Sequence, residues 1–178
     1  MPNRPTRIIV RCEDVQQRVF IYRCLCKNGI HQRAIQIRNS PGGDAKQFVL
    51  DQYPTEVKAL RRTPHVSQAV ISMIDADDRT TEDRKREHDS ALKKSGQEHR
   101  NNREKIAILV PRRNIETWIH HLLGEAVDEH GKYPRFRGKE SKCAPAAEEF
   151  ARRCPNDMRD TDLPSLHDGC AELQRILA

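Results

Sequence analysis

One stretch restricts the fold more than any other: Gln68-Ala69-Val70-Ile71-Ser72-Met73-Ile74, followed at once by Asp75-Ala76-Asp77-Asp78. A short run rich in β-branched residues that stops at carboxylates predicts a buried strand, with its acids where the chain leaves the sheet. Open α/β sheets bind ligands outside the carboxyl ends of their strands. Side chains alternate along an extended segment, so Asp75 and Asp77 are expected to point the same way and face one ion together. A hard divalent cation such as Mg²⁺ takes oxygen donors of this kind. The same residues are equally read as a strand end at Asp75 and a solvated turn at Asp77-Asp78.

Three other segments have strand character. Thr6–Cys12 is the first and runs directly into Glu13-Asp14; a helix is predicted from Val15 to Asn28, closed by Asn28-Gly29. An acidic start complements the positive end of that helix, so Glu13 and Asp14 also have a plain role as capping charges. Gln32–Arg38 is the second strand and empties into Asn39-Ser40-Pro41-Gly42-Gly43-Asp44, which lacks the residues of a nucleotide P-loop or a dinucleotide fingerprint. Lys46 to Arg62 follows as helix, with Pro54 expected to interrupt it or start a new piece. Ile106–Val110 is the fourth strand, and after Arg112-Arg113-Asn114 the spacing of Ile115, Trp118, Ile119, Leu122 and Leu123 predicts a helix capped by Asn114. Trp118 falls on its apolar stripe as a core residue, and Glu116 in its first turn. Strands alternating with helices predict an α/β domain around a mostly parallel sheet of about four strands.

Between strands three and four, Thr80-Thr81-Glu82-Asp83 resembles a helix cap with an acidic first turn, and Ser95–Asn102 has no apolar residue and reads as an exposed turn or mobile loop. Arg79, Arg84 and Lys85 lie beside the acidic cluster, and Arg112 and Arg113 precede Glu116, so all five are candidate phosphate contacts. The Gly131–Lys142 segment carries Arg135 and Arg137 with Tyr133 and Phe136 interleaved. It suits a loop that grips a nucleic-acid backbone and stacks a base, and it suits a solvated linker equally. Helices are expected over Cys143–Arg153 and from Pro164 to the C-terminus, the last packing on the sheet.

A chain of 178 residues with 36% hydrophobic and 33% charged residues is long enough for one domain, 1–178, with a sizeable core. The opening Met1–Arg7 carries no signal-peptide pattern and no window is apolar enough to span a bilayer, which sets a cytoplasmic expectation. A net charge of +6 and a pI near 9.1 favour a nucleic-acid partner. Cys12, Cys24, Cys26, Cys143, Cys154 and Cys170 match no familiar zinc spacing, and an α/β core of this size needs no staples, so they are expected as reduced, mostly buried thiols.

The order Glu13, then Asp75-x-Asp77, each after a strand, resembles the TOPRIM domain of topoisomerases, primases, recombination mediators and overcoming-lysogenization-defect nucleases. Small stand-alone bacterial TOPRIM-like proteins of the DUF4276 type look closer still. Their final motif is similar to Arg113-Asn114-Ile115-Glu116-Thr117-Trp118, and their helix start matches Glu13 and Phe20. The resemblance covers about residues 6–125 and leaves 126–178 as a helical C-terminal extension. Many members have glycine after the first glutamate, where this chain has Asp14. The resemblance implies a three-layer sandwich and Mg²⁺ or Mn²⁺ held by Glu13, Asp75 and Asp77, with Asp14 and Asp78 as further ligands and Glu116 serving a second metal.

No tyrosine stands where a topoisomerase nucleophile would, and Cys12 has no histidine placed to activate it, so water is the expected nucleophile and phosphodiester hydrolysis the expected reaction. The resemblance also implies a protein partner such as an ATPase in a bacterial defence or repair system. The opposing expectation is a non-catalytic module of the same fold that binds nucleic acid or a partner protein. A phosphatase using the same metal chemistry is a third.

Overall fold

Alternation along the strands decides which helix lies on which side of the sheet. The computed structural model describes residues 4–178; Met1–Asn3, the start of the N-terminal lead, lie outside them. Four parallel strands, β1 (Arg7–Cys12), β2 (Ile35–Asn39), β3 (Gln68–Met73) and β4 (Ile106–Leu109), stand in the order β2-β1-β3-β4. Ile8, Val10, Ile71, Met73, Ala107 and Leu109 face one side. There they meet α1 (Val15–Lys27), α4 (Ile115–Leu122), α5 (Ala144–Arg153) and α6 (Pro164–Leu177). Val70, Ile106 and Ile108 face the other side, against α2 (Ala45–Arg62) and α3 (Thr81–Lys94). The result is an α/β domain with helices on both faces of a parallel sheet, as the alternation of segments predicts.

The order of connections places the site. From β1 the chain crosses through α1 to β2 on one flank; from β2 it crosses back through α2 on the opposite face to β3, on β1's other flank. The crossovers change direction between β1 and β3, and the crevice at such a switch point is where open α/β sheets bind ligands. Glu13 follows β1 and Asp75 follows β3.

Several segments depart from expectation. The second strand starts only at Ile35, because Gln32–Ala34 forms a tight helical turn in which His31 Nδ1 accepts the Arg33 N–H. Pro54 does not break α2, which runs unbroken over 18 residues. Burying Val49, Tyr53 and Val57 on one side outweighs the roughly 3 kcal/mol that an interior proline costs. The Ser95–Asn102 segment is anchored: Gln97 Nε2 donates to the Pro54 carbonyl at 2.9 Å, and Arg100 makes a two-point ion pair with Glu172 at 2.5 and 2.8 Å. Cys154 and Cys170 are joined in a disulfide, which corrects the expectation of reduced thiols throughout. The packing of the middle of α6 beside the end of α5 brings their Cα atoms within 5.6 Å, and a 16-residue gap in sequence does not announce that proximity. Cys12, Cys24 and Cys143 are free and buried, as expected, while Cys26 is half-buried.

The C-terminal helix closes the edge of β4. Glu172 accepts the Ile108 N–H at 2.8 Å, and the Ile106 carbonyl takes bonds from Arg175 Nε at 2.8 Å and Arg100 Nη1 at 3.0 Å. Backbone groups that an edge strand would leave open are thereby paired. Trp118, fully buried, donates its indole N–H to Ser165 Oγ at 2.9 Å, and its ring fills the space beside Gly169. A Cβ on Gly169 would stand 2.5 Å from the Trp118 ring. Gly169→Ala is therefore expected to destabilise the fold by about 1–3 kcal/mol, the cost of overpacking, despite the better helix propensity of alanine. A urea midpoint at or above that of the parent would show that the ring has room to move.

Candidate functional site

Glu13 and Asp75 meet at the switch point. Glu13 Oε1 accepts the Asp75 backbone N–H at 2.7 Å, joining the ends of β1 and β3. Gln17, one turn into α1, accepts the Glu13 N–H through its side-chain oxygen at 2.8 Å and gives its own N–H to Asp14 Oδ1 at 2.9 Å. Asp14 is thus the N-cap of α1, an arrangement that satisfies one of the open N–H groups of the first turn. Glu13 is no cap; its carboxylate crosses to the neighbouring strand.

Beyond β3 the chain keeps company with the end of β4. Ala76 N–H donates to the Pro111 carbonyl at 2.9 Å and Asp77 N–H to the Arg113 carbonyl at 2.7 Å. Both Asp77 (φ 53°) and Arg113 (φ 65°) adopt left-handed backbone, which costs a side-chain-bearing residue about 1–2 kcal/mol and persists only where surroundings impose it. This turn overrules the alternation expected from sequence. Asp75 points inward and is 6% exposed, whereas Asp77 turns out, is 49% exposed and meets Lys46 Nζ at 2.6 Å. The two aspartates therefore do not face one ion together.

Lys46 was not among the residues picked from sequence, yet it lies between Glu13 Oε2 (3.0 Å) and Asp77 Oδ2 (2.6 Å). A cation in the first turn of a helix opposes the helix dipole, so a lysine two residues past the Asp44 cap of α2 was the available clue. Burial works against its charge, but the two carboxylates prevail and hold its pKa above the ordinary value.

Among the described residues, Asp75 and Glu116 have no ion-pair partner of this kind. Asp75 Oδ1 is buried without a hydrogen-bond partner. Burial, then the charges of Glu13, Asp14 and Glu116, push the Asp75 carboxyl well above its usual range. Glu13 is raised by burial against the opposing pull of Lys46 and the Asp75 N–H. Glu116, 5% exposed in the first turn of α4, is raised by burial and then by Asp14, with Arg135 drawing it down. Asn114 holds the N-cap position of α4 but makes no side-chain capping bond; its Oδ1 takes the Thr117 hydroxyl instead. Glu116 opens on a cleft of about 230 Å³ bordered by Asp14, Arg135, Phe136 and Arg137.

The other sequence candidates are placed variously. Arg84 is turned inward, donating from Nε to the Asp75 carbonyl (3.1 Å) and from Nη2 to the Ala76 carbonyl (3.3 Å), so it holds the acidic loop in place. Its helix is pinned by His88, which bridges the Arg84 carbonyl and Ser72 Oγ at 2.7 Å each. Lys85 pairs with Asp168 and Glu172, Arg79 with Glu87, and Arg112 donates to the Arg79 carbonyl. Arg113 pairs at 2.6 Å with Asp78, which is 90% exposed and stands apart from the inner acids. Phe136 stacks on His120 at 5.1 Å and Tyr133 lies 5.8 Å from the same ring, so both aromatics of the basic loop pack internally. The Thr80–Asp83 capping box forms as expected.

Comparison of the chain with protein-family models, with curated proteins and with solved structures returns no match. Among the described residues, no group of three or more His, Cys, Asp or Glu side chains is placed so that it could hold a metal ion, and no helix is long and apolar enough to cross a membrane.

The sign of the Asp75 shift gives a test. Its folded-state pKa is raised, so above the ordinary value of 3.8 the unfolded chain releases a proton that the folded chain retains, and stability falls as pH rises. Asp75→Asn is expected to unfold at higher urea than the parent at pH 7–8, with the gap closing as pH falls toward about 4. A variant less stable than the parent at pH 8 would mean that the buried carboxylate is already compensated.

Proposed function

We propose that the chain is a divalent-metal-dependent phosphodiester hydrolase acting on nucleic acid, with Asp75 at its centre. The observation that carries this reading is the unpartnered, fully buried Asp75 Oδ1 among Glu13, Asp14 and Glu116 at the switch point of a parallel sheet. Crowded carboxylates raise each other's pKa, and a bound cation is the natural way to relieve them. The donor chemistry suits Mg²⁺ or Mn²⁺: oxygen atoms only, with Asp75, Glu13 and Glu116 as the residues that would hold the ion. Asp14 caps α1, and Asp77 and Asp78 turn outward to Lys46 and Arg113, which leaves them outside that inner set; Glu13 is engaged too, by the Asp75 N–H and Lys46, so an ion there would take the place of Lys46. A metal bound there supplies Lewis-acid stabilisation and a more acidic water.

The chain's own residues have separate tasks. Glu13 fixes the Asp75 backbone, Arg84 holds the carbonyls of Asp75 and Ala76, and Lys46 offsets the charge of Glu13 and Asp77. Arg135 and Arg137 border the cleft beside Glu116, placed to draw in a phosphate. The resemblance of Glu13, Asp75-x-Asp77 and Glu116 to TOPRIM motifs points the same way, and a partner such as an ATPase rests on that resemblance alone.

A second reading has its own observation in favour. Lys46 lies between Glu13 and Asp77, where it neutralises two of the acids without any metal; this suits a module that binds nucleic acid or a protein partner and performs no chemistry.

Cleavage of labelled DNA and RNA in Mg²⁺ and Mn²⁺ separates the two. The hydrolase reading expects metal-dependent cleavage that drops by at least about 100-fold in Asp75→Ala and Glu13→Ala, the scale of losing one electrostatic stabiliser. Unaltered oligonucleotide under both metals, with binding intact in all variants, would establish the second reading instead.

A further inference from the structure

The cations that sequence reasoning selected are largely tied to acids, while another set has been left free. From Val15 to Gly43 the chain contains no aspartate or glutamate, yet it carries Arg18, Arg23, Lys27, Arg33 and Arg38. All five are exposed, and none of their side chains enters a hydrogen bond or ion pair among the described residues. Of the acids on the elements packed against α1, Glu149 is tied to Arg152 and Glu140 Oε1 takes the Gly138 N–H, which leaves the exposed Glu148 of α5 as one acid against these cations. Arg18, Arg23 and Lys27 are carried on α1 and Arg33 lies just past its end, whereas Arg38, next to the inward Ile37 of β2, faces the other side of the sheet. Unpaired like charges held together along α1 repel one another, so an anionic partner is the simplest reason for the arrangement.

The shape of this surface narrows the partner. Helix α1 starts beside Glu13 at the site and runs away from it, with Arg18 to Lys27 covering about 13 Å of axis. That length spans about four phosphates of one strand at 3.4 Å each. Where α1 ends, a second cleft of about 430 Å³ opens, bordered by Arg4, Thr6, His31 and Arg33 and by no acidic residue. A bilayer would ask α1 for a free apolar face, but Phe20, Ile21 and Leu25 are fully buried in the core.

We propose that the exposed side of α1 and the Arg4–His31–Arg33 cleft together form the track that holds a nucleic-acid strand by its phosphates and leads it to the acids at the ends of β1 and β3. This rests on nucleic acid being the ligand in the function proposed above, but not on hydrolysis.

The test is binding of fluorescein-labelled oligonucleotides, single-stranded and duplex, followed by anisotropy in EDTA so that cleavage plays no part. Arg18→Gln/Arg23→Gln/Lys27→Gln is expected to bind the single strand at least about tenfold more weakly, with the slope of log affinity against log salt reduced by about 2, three contacts at about 0.7 each. Arg4→Gln/Arg33→Gln tests the cleft separately and is expected to weaken binding several-fold; it decides the matter should the triple variant fail to fold by circular dichroism. The exposed triple Lys58→Gln/Lys93→Gln/Lys94→Gln removes equal charge from the α2–α3 side and is expected to change affinity by less than about twofold. Parent-like affinity and salt slope in the α1 and cleft variants would overturn the track while leaving the hydrolase reading to the cleavage assay. A parent that binds phosphatidylglycerol vesicles but not oligonucleotide would overturn it in favour of a membrane surface.

Discussion

The bond from the Asp75 N–H to the Glu13 carboxylate joins the two strands between which the crossovers reverse direction. It uses a charged acceptor for a backbone donor at the place where β3 stops being paired as a strand, and such bonds are stronger than neutral ones. Around it the supporting bonds fall into a sequence. Gln17 steadies the Glu13 backbone, Lys46 takes the second Glu13 oxygen, and Arg84 grips the carbonyls that follow Asp75. A carboxylate taken out of water is costly unless something compensates it. Glu13 has compensation on both oxygens, whereas Asp75 has only the weaker pull of the Gln17 side chain and leaves Oδ1 bare. That inequality between two acids in contact through one hydrogen bond is what makes Asp75 chemically unlike an ordinary strand-end residue.

The left-handed turn at Asp77 has consequences beyond its own strain. By reversing the direction of one side chain it separates the acidic cluster into an inner set around Asp75 and an outer set, Asp77 and Asp78, that pairs with Lys46, Arg84 and Arg113. The matching left-handed residue on the facing segment, Arg113, accepts the Asp77 N–H of that turn through its carbonyl. The two loops are locked to each other, and Glu116 is delivered to the inner set because α4 starts directly after that lock. Local backbone strain and a shared hydrogen bond thus decide which carboxylates form one electrostatic unit.

The two sides of the sheet are finished differently. On the β4 side, Glu172, Arg175 and Arg100 satisfy the edge and Lys85 joins their network, so charges there are consumed by the fold. On the α1–β2 side Arg18, Arg23, Lys27, Arg33 and Arg38 face solvent without partners among the described residues. A net charge of +6 is a statement about the whole chain; where that charge is left without acids beside it is decided by the fold.

Much of the architecture is legible in the chain itself. β-branched runs at Ile8–Val10, Val70–Ile71 and Ile106–Leu109, separated by helical spacing, demand a parallel sheet covered on both faces. The Thr80–Asp83 cap and the burial of Trp118 follow from local chemistry in the same way. These features depend on neighbours a few residues apart, which a sequence displays directly. The order of the strands, the sign of φ at Asp77, the inward turn of Arg84, the arrival of Lys46 between Glu13 and Asp77, and the joining of Cys154 to Cys170 depend on segments tens of residues distant. Acids near strand ends were plain from the sequence; which of them share one field, and which have already found a cation, was decided only when the crossovers brought those ends together, because electrostatic coupling depends on separation in space and on burial rather than on position along the chain.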